Sequence, residues 1–96
     1  MFFMHFLYVI YSKEVDKFYV GETKDPVERL KLHNRHYFKK GFSKIADDWE
    51  IVLTFECNSR KDALFLEKFI KQMKSKKFIH KLIKKPNILS EILGNR

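Results

Sequence analysis

The stretch Tyr8–His33, YVIYSKEVDKFYVGETKDPVERLKLH, decides the reading of the chain. Two apolar runs, FFMHFLYVIY and KFYVG, flank a short charged segment, SKEVD. Both runs are rich in Phe, Tyr, Val and Ile, which suits a β-hairpin. Each run carries a tyrosine, Tyr8 and Tyr19. With an even loop between the strands, the two share a face, opposite or diagonal to each other. A helix follows at once: Asp25 is a good N-cap, Pro26 fits the first helical position, and Glu28 stands where a capping box wants it. Arg29 and His33 are four apart and therefore on one side of that helix. Two phenols, a guanidinium and an imidazole are expected near one sheet edge.

Working outward, residues 2–11 have almost no polar side, so this strand is expected to be central and covered on both faces. His5 within it reads as a packed core or edge histidine. Residues 17–22 form its hairpin partner, and Gly21 marks a place where backbone meets something closely, a neighbouring segment or a phosphate. The first helix is expected over about residues 26–36, with Val27, Leu30 and Tyr37 as its apolar stripe. Arg29 and His33 lie beside that stripe, on a rim between core and solvent. His33 and His36 together suggest a two-histidine metal site, but no third ligand has zinc spacing.

HYFKKGFSKIADD (36–48) reads as a loop whose Lys39, Lys40 and Lys44 surround Phe42 and Ser43. Such a loop can grip a phosphate backbone, with Phe42 either packed inward or stacked on a base. WEIVLTFEC (49–57) is a third strand near an edge, with Trp49, Ile51, Leu53 and Phe55 on one face. Ser59 caps a second helix with Asp62 at its third position. Ala63, Leu66, Phe69, Ile70 and Met73 form that helix's wide apolar face, and Glu67 falls at its border. On its own, Glu67 reads as a salt-bridge partner of Lys71 or Lys74. A third helix over about 75–84 sets Phe78, Ile79, Leu82 and Ile83 against a lysine side, and Pro86 breaks it. NILSEIL (87–93) has the makings of one last short helix.

Ninety-six residues suit one domain, 1–96, with a modest core that buries about 60–65% of the unfolded surface. The ten Phe, four Tyr and one Trp give that core its bulk. One cysteine, Cys57, allows no internal disulfide and suits a reducing, cytoplasmic setting. The apolar start MFFMHFLYVIY lacks a basic opening and a small-residue cleavage site. It reads as a strand rather than a signal peptide or membrane span. The formal net charge is +8, and Lys68 to Lys85 contains eight lysines and no acid. A polyanion, most commonly nucleic acid, is the partner such a face fits; a merely solvated lysine face is the alternative.

These residues carry a resemblance to the GIY-YIG nuclease family. Its first motif is matched by Leu7-Tyr8-Val9 and its second by Tyr19-Val20-Gly21. The arginine and histidine of its first helix match Arg29 and His33, and its helix glutamate matches Glu67. Phe6 stands where the first motif has its glycine. Asn87 is the nearest candidate for the family's later asparagine and is left out of the catalytic set. The resemblance covers nearly the whole chain and rests on the ordered set of five rather than on any one motif.

The resemblance implies an α/β (α+β) fold: a small three-stranded, mostly antiparallel sheet flanked by helices in the order β-β-α-β-α-α. It implies a divalent-metal-dependent endonuclease that hydrolyses DNA phosphodiester bonds, with DNA repair or recombination as the setting. Mg²⁺ or Mn²⁺ would be held by Glu67, and Arg29 would meet the phosphate. Tyr8 is assigned as general base and Tyr19 as the group orienting water or phosphate, the reverse being open. A phenol ionises near pH 10, so Arg29, the metal and the lysines are expected to favour phenolate, and His33 to relay the proton near neutral pH. Lys39, Lys40, Lys44, Lys71, Lys74, Lys76 and Lys77 would hold structured or duplex DNA. No membrane partner is expected, and a monomer is the simplest state. The rival class is a basic nucleic-acid-binding module that keeps the fold without turnover.

Overall fold

The structure, a computed structural model, describes residues 4–36 and 45–96. Lys39, Lys40, Lys44, Tyr37, Phe42 and Ser43, for which the sequence suggests roles, lie outside the described residues.

The hairpin forms as its composition demands. Strand β1 (His5–Ser12) pairs antiparallel with β2 (Lys17–Thr23), and then with β3 (Glu50–Cys57), giving the sheet order β2-β1-β3. The long apolar run is thus central, and the alternating third strand lies at an edge. Helix α1 (Pro26–Asn34) follows β2; α2 (Arg60–Met73), α3 (Lys76–Lys84) and α4 (Asn87–Gly94) follow β3. Among the described residues the fold is α+β with a three-stranded antiparallel sheet and four helices. The last helix extends the order expected from the sequence.

The helix starts are set locally. Asp25 accepts from the Glu28 N–H, Ser59 from the Asp62 N–H and Ser75 from the Phe78 N–H, each satisfying an otherwise orphaned donor. Helix α1 ends earlier than its pattern suggests: Arg35 caps it and His36 has a left-handed φ of 56°. Asn34 fastens that end to Trp49, the residue before β3, in both directions. Its side-chain N–H donates to the Trp49 carbonyl at 3.1 Å, and its carbonyl accepts from the Trp49 N–H at 2.8 Å.

The core lies on both faces of the sheet. One cluster joins Leu7, Val9 and Leu53 to Ala63, Leu66 and Ile70 of α2 and to Ile79, Leu82 and Leu89. The other joins Tyr8, Ile10, Ala46 and Trp49, with Tyr19, Leu30 and Ile51 packed against it. The strict alternation expected in β3 breaks here. Val9 pairs with Leu53 but Ile10 pairs with Ile51, so Val52 is an extra residue at a bulge. A bulge reverses which face later residues meet, so Ile51 and Trp49 join the α1 side while Leu53 and Phe55 join the α2 side. Two expected stripe residues are on the surface instead, Val27 at 60% exposed and Met73 at 47%. Each sits near a helix end, where the apolar face runs past the sheet it covers. Among the described residues no helix is long and apolar enough to cross a membrane.

Candidate active site

The hairpin register positions the phenols. Tyr8 stands opposite Gly21 and Ile10 opposite Tyr19, so Tyr8 and Tyr19 are diagonal neighbours on one face. Their ring centroids are 6.4 Å apart. Gly21 is required by this arrangement. A β-carbon at 21 would stand 2.6 Å from the Tyr8 hydroxyl oxygen and 2.7 Å from two ring carbons. The close approach that the glycine signals is therefore to a side chain of its own sheet.

Helix α1 delivers His33 onto the same face. His33 Nε2 and the Tyr8 hydroxyl are 2.7 Å apart in a buried hydrogen bond whose donor depends on the imidazole tautomer. The His33 ring also packs on Tyr19, with centroids 4.7 Å apart. Thr23 sets the angle at which α1 leaves the sheet: its hydroxyl accepts from the Asp25 N–H and donates to the Asp25 carbonyl.

Burial corrects two sequence expectations. Tyr8 and His33 are each only 1% exposed, so His33 lies inside the molecule rather than on a rim. Its ring is pushed down to about 4, first by loss of solvent and then by the nearby Arg29 charge. It is neutral at pH 7 and does not titrate there by itself. The Tyr8 phenol is pushed up, not down. Burial is the largest cause, neighbouring Tyr19 adds to it, and Arg29 only partly opposes it. In this state the pair is phenol and neutral imidazole.

Arg29 is half-buried, as expected, and close enough to act on both groups. It opens onto a depression lined also by Glu22, Lys24 and Arg60. Glu67 rises from α2, contributes to the field at Tyr8, and is mostly covered. Its carboxylate accepts from Lys71 at 2.8 Å, the i,i+4 pair suggested by the sequence. The same ammonium lies 5.6 Å from the Tyr19 ring centroid. The five residues therefore form one neighbourhood: Tyr8, Tyr19 and His33 in contact, Arg29 and Glu67 within electrostatic reach.

The donor set decides what cation could be held. No three His, Cys, Asp or Glu side chains converge among the described residues. His33 and His36 do not pair on a metal: His36 Nε2 donates to the Ala46 carbonyl at 2.9 Å, and His33 is taken by Tyr8. A single carboxylate suits a hard cation that keeps most of its waters. The ammonium of Lys71 already stands as a cation on that carboxylate, so the position accepts positive charge.

Lys71, Lys74, Lys76 and Lys77 are all exposed. Lys76 is not wholly free, since it donates to the Asp16 carbonyl and carboxylate at the hairpin turn. Three features escaped the sequence reading. Asn34 offers no pattern signal, since its bonds go to backbone fifteen residues away. Glu22 accepts from Arg60 and pairs with His5, a bridge from β2 to β1 and α2 that only the fold creates. Thr23 could have been suspected, as a hydroxyl two residues before an N-cap.

No significant match was found among curated proteins or among solved structures. Residues 4–82 match the family model described as the GIY-YIG catalytic domain. That span takes in both tyrosines, Arg29, His33 and Glu67, and the family's general activity is that of a nuclease. The chain belongs to the GIY-YIG family.

Proposed function

We propose that the protein is a divalent-metal-dependent endonuclease that hydrolyses DNA phosphodiester bonds in the cytoplasm, in repair or recombination. The observation that carries this reading is the 2.7 Å hydrogen bond between Tyr8 and His33, beside Tyr19 and within reach of Arg29 and Glu67. Cleaving a phosphodiester requires a deprotonated water, a counter to the growing charge, and a stabilised leaving oxygen.

The buried pair supplies a route for the proton that needs no free phenolate. The Tyr8 hydroxyl donates to the bare Nε2 of neutral His33. Water gives its proton to the Tyr8 oxygen as the phenolic proton passes to His33. An incoming phosphate brings negative charge that favours the resulting imidazolium. Arg29 offers the phosphate a planar fork, and Tyr19 orients water at the more open side. Glu67 would hold Mg²⁺ or Mn²⁺, which when bound supplies charge for the leaving 3′ oxygen. Lys71 must yield the carboxylate to it, and exchanges that partner for a DNA phosphate.

One observation favours the rival reading of a binding module without turnover: the Glu67 carboxylate is already paired with Lys71. A nicking assay with branched, flapped and plain duplex DNA, with and without Mg²⁺ or Mn²⁺, separates the two. Metal-dependent nicking that disappears in Tyr8→Phe supports the enzyme. Tight DNA binding without nicking on every substrate establishes the module.

A further inference from the structure

Along β2, bordering Tyr19, the surface opens into a hollow of about 370 Å³ between β2, α2 and the start of α3. That is within the range of small-molecule sites. Its lining is mostly apolar, and its floor is made by Val20, Ile70 and Ile79. Phe18, half-buried, lines it from the α2 side of the sheet, and Tyr19, whose side chain belongs to the opposite face, borders it at the strand edge. Phe18, Val20, Ile70 and Ile79 also pack into the core cluster beneath it.

Its rim has one sign of charge. Lys17, Lys71, Lys74 and Lys76 surround the opening, and no acidic residue lines it. Lys71 and Lys76 are paired within the chain, with Glu67 and Asp16. An apolar peptide or a second copy of this strongly basic chain would still leave the Lys17 and Lys74 ammonium groups facing it without counter-charge. A flat apolar group attached to phosphates satisfies both floor and rim. Lys71 and Tyr19 also belong to the candidate active site, so the hollow borders that site.

We propose that this hollow receives one unpaired nucleobase of the bound DNA, stacked against Phe18, while the flanking phosphates lie on the lysine rim. This rests on the reading of the protein as a DNA nuclease and names its substrate class: DNA with an unstacked nucleotide beside the cleaved bond, as in flaps, bulges and branch points. A base buried in the stack of an intact duplex cannot enter without being extruded, which costs energy that an unpaired base does not pay.

The test is binding, measured on the full chain in chelator so that cleavage plays no part. Two duplexes are compared by fluorescence anisotropy, one with a single unpaired adenine and one with an abasic residue at the same place. The adenine duplex should bind about tenfold more tightly, in line with one base stacked on aromatic surface. 2-Aminopurine in place of the adenine should lose fluorescence on binding. Phe18→Ala should bring the two affinities together. The double variant Lys17→Gln, Lys74→Gln should weaken both duplexes alike and keep their ratio, and a cooperative urea transition of Phe18→Ala separates its lost preference from a fold defect. Equal affinities of the wild-type chain for the two duplexes overturn the proposal. Base preference without any metal-dependent nicking leaves the hollow standing and removes the nuclease reading; nicking without base preference does the reverse.

Discussion

The phenol ring of Tyr8 lies over Gly21 of the neighbouring strand, so close that a β-carbon there would stand 2.6 Å from its hydroxyl oxygen. The glycine is what lets the hydroxyl reach His33. Gly21→Ala must push either the buried ring or the strand aside, and overpacking of this kind costs about 1–3 kcal/mol. We expect a lower urea midpoint, and cleavage reduced further than the stability loss alone explains. Unchanged stability and unchanged cleavage together would show that the ring is not held by this contact.

His33 makes stability depend on pH in a defined direction. Its folded-state value is pushed down to about 4, against an ordinary value of 6.5 in the unfolded chain. The unfolded state therefore binds a proton first as pH falls. The stability contributed by the neutral ring is fully present above pH 6.5 and is lost as pH drops towards 4. Its full size is on the order of 3 kcal/mol. Urea unfolding at pH 7, 5.5 and 4 measures it. His33→Gln keeps a polar side chain of similar reach without the titration, so its stability should fall less over that range than that of the wild type. Parallel curves for the two proteins would contradict the assignment.

Much of this was legible from the sequence, for reasons that can be named. The hairpin, the helix caps at Asp25 and Ser59, and the shared face of Tyr8 and Tyr19 depend on neighbours in the chain, and local chemistry specifies them. Burial depends on what packs from elsewhere. The sequence put His33 at a rim because α1 was judged alone; Tyr8 and Tyr19 of the sheet close over its ring. The direction of the Tyr8 shift failed for the same reason, since charges can be counted along a chain but desolvation cannot. The bulge at Val52 has no local marker such as glycine, and it moved Ile51 and Trp49 to the other face.

The lysine face gives a prediction about salt. If Lys74 and Lys77 contact phosphates, neutralising both to Gln should lower the slope of log affinity against log salt by about 2. Both are exposed, so folding should be unaffected. Lys76 is best changed separately, because it also ties the start of α3 to the Asp16 turn. An unchanged slope and affinity would show that this face is only solvated.

Glu67 separates the enzyme from its rival most sharply. Glu67→Gln removes the charge and keeps the shape. It also breaks the pair with Lys71, but an i,i+4 pair of this kind contributes only about 0.3–0.5 kcal/mol. Melting temperature should therefore hardly move. DNA binding should persist or tighten, because a carboxylate near phosphate is gone and Lys71 is released to meet it. Metal binding, measured with Mn²⁺ by calorimetry, and metal-dependent cleavage should both be lost if this carboxylate is the ligand. Lys71→Met provides the opposite perturbation: it removes the ammonium that competes for the carboxylate, so Mn²⁺ should bind more tightly while DNA binds less well. A purely structural ion pair makes different demands, since its loss from either side should leave metal affinity and cleavage where they were. Retained cleavage with ordinary metal dependence in Glu67→Gln would defeat the ligand assignment.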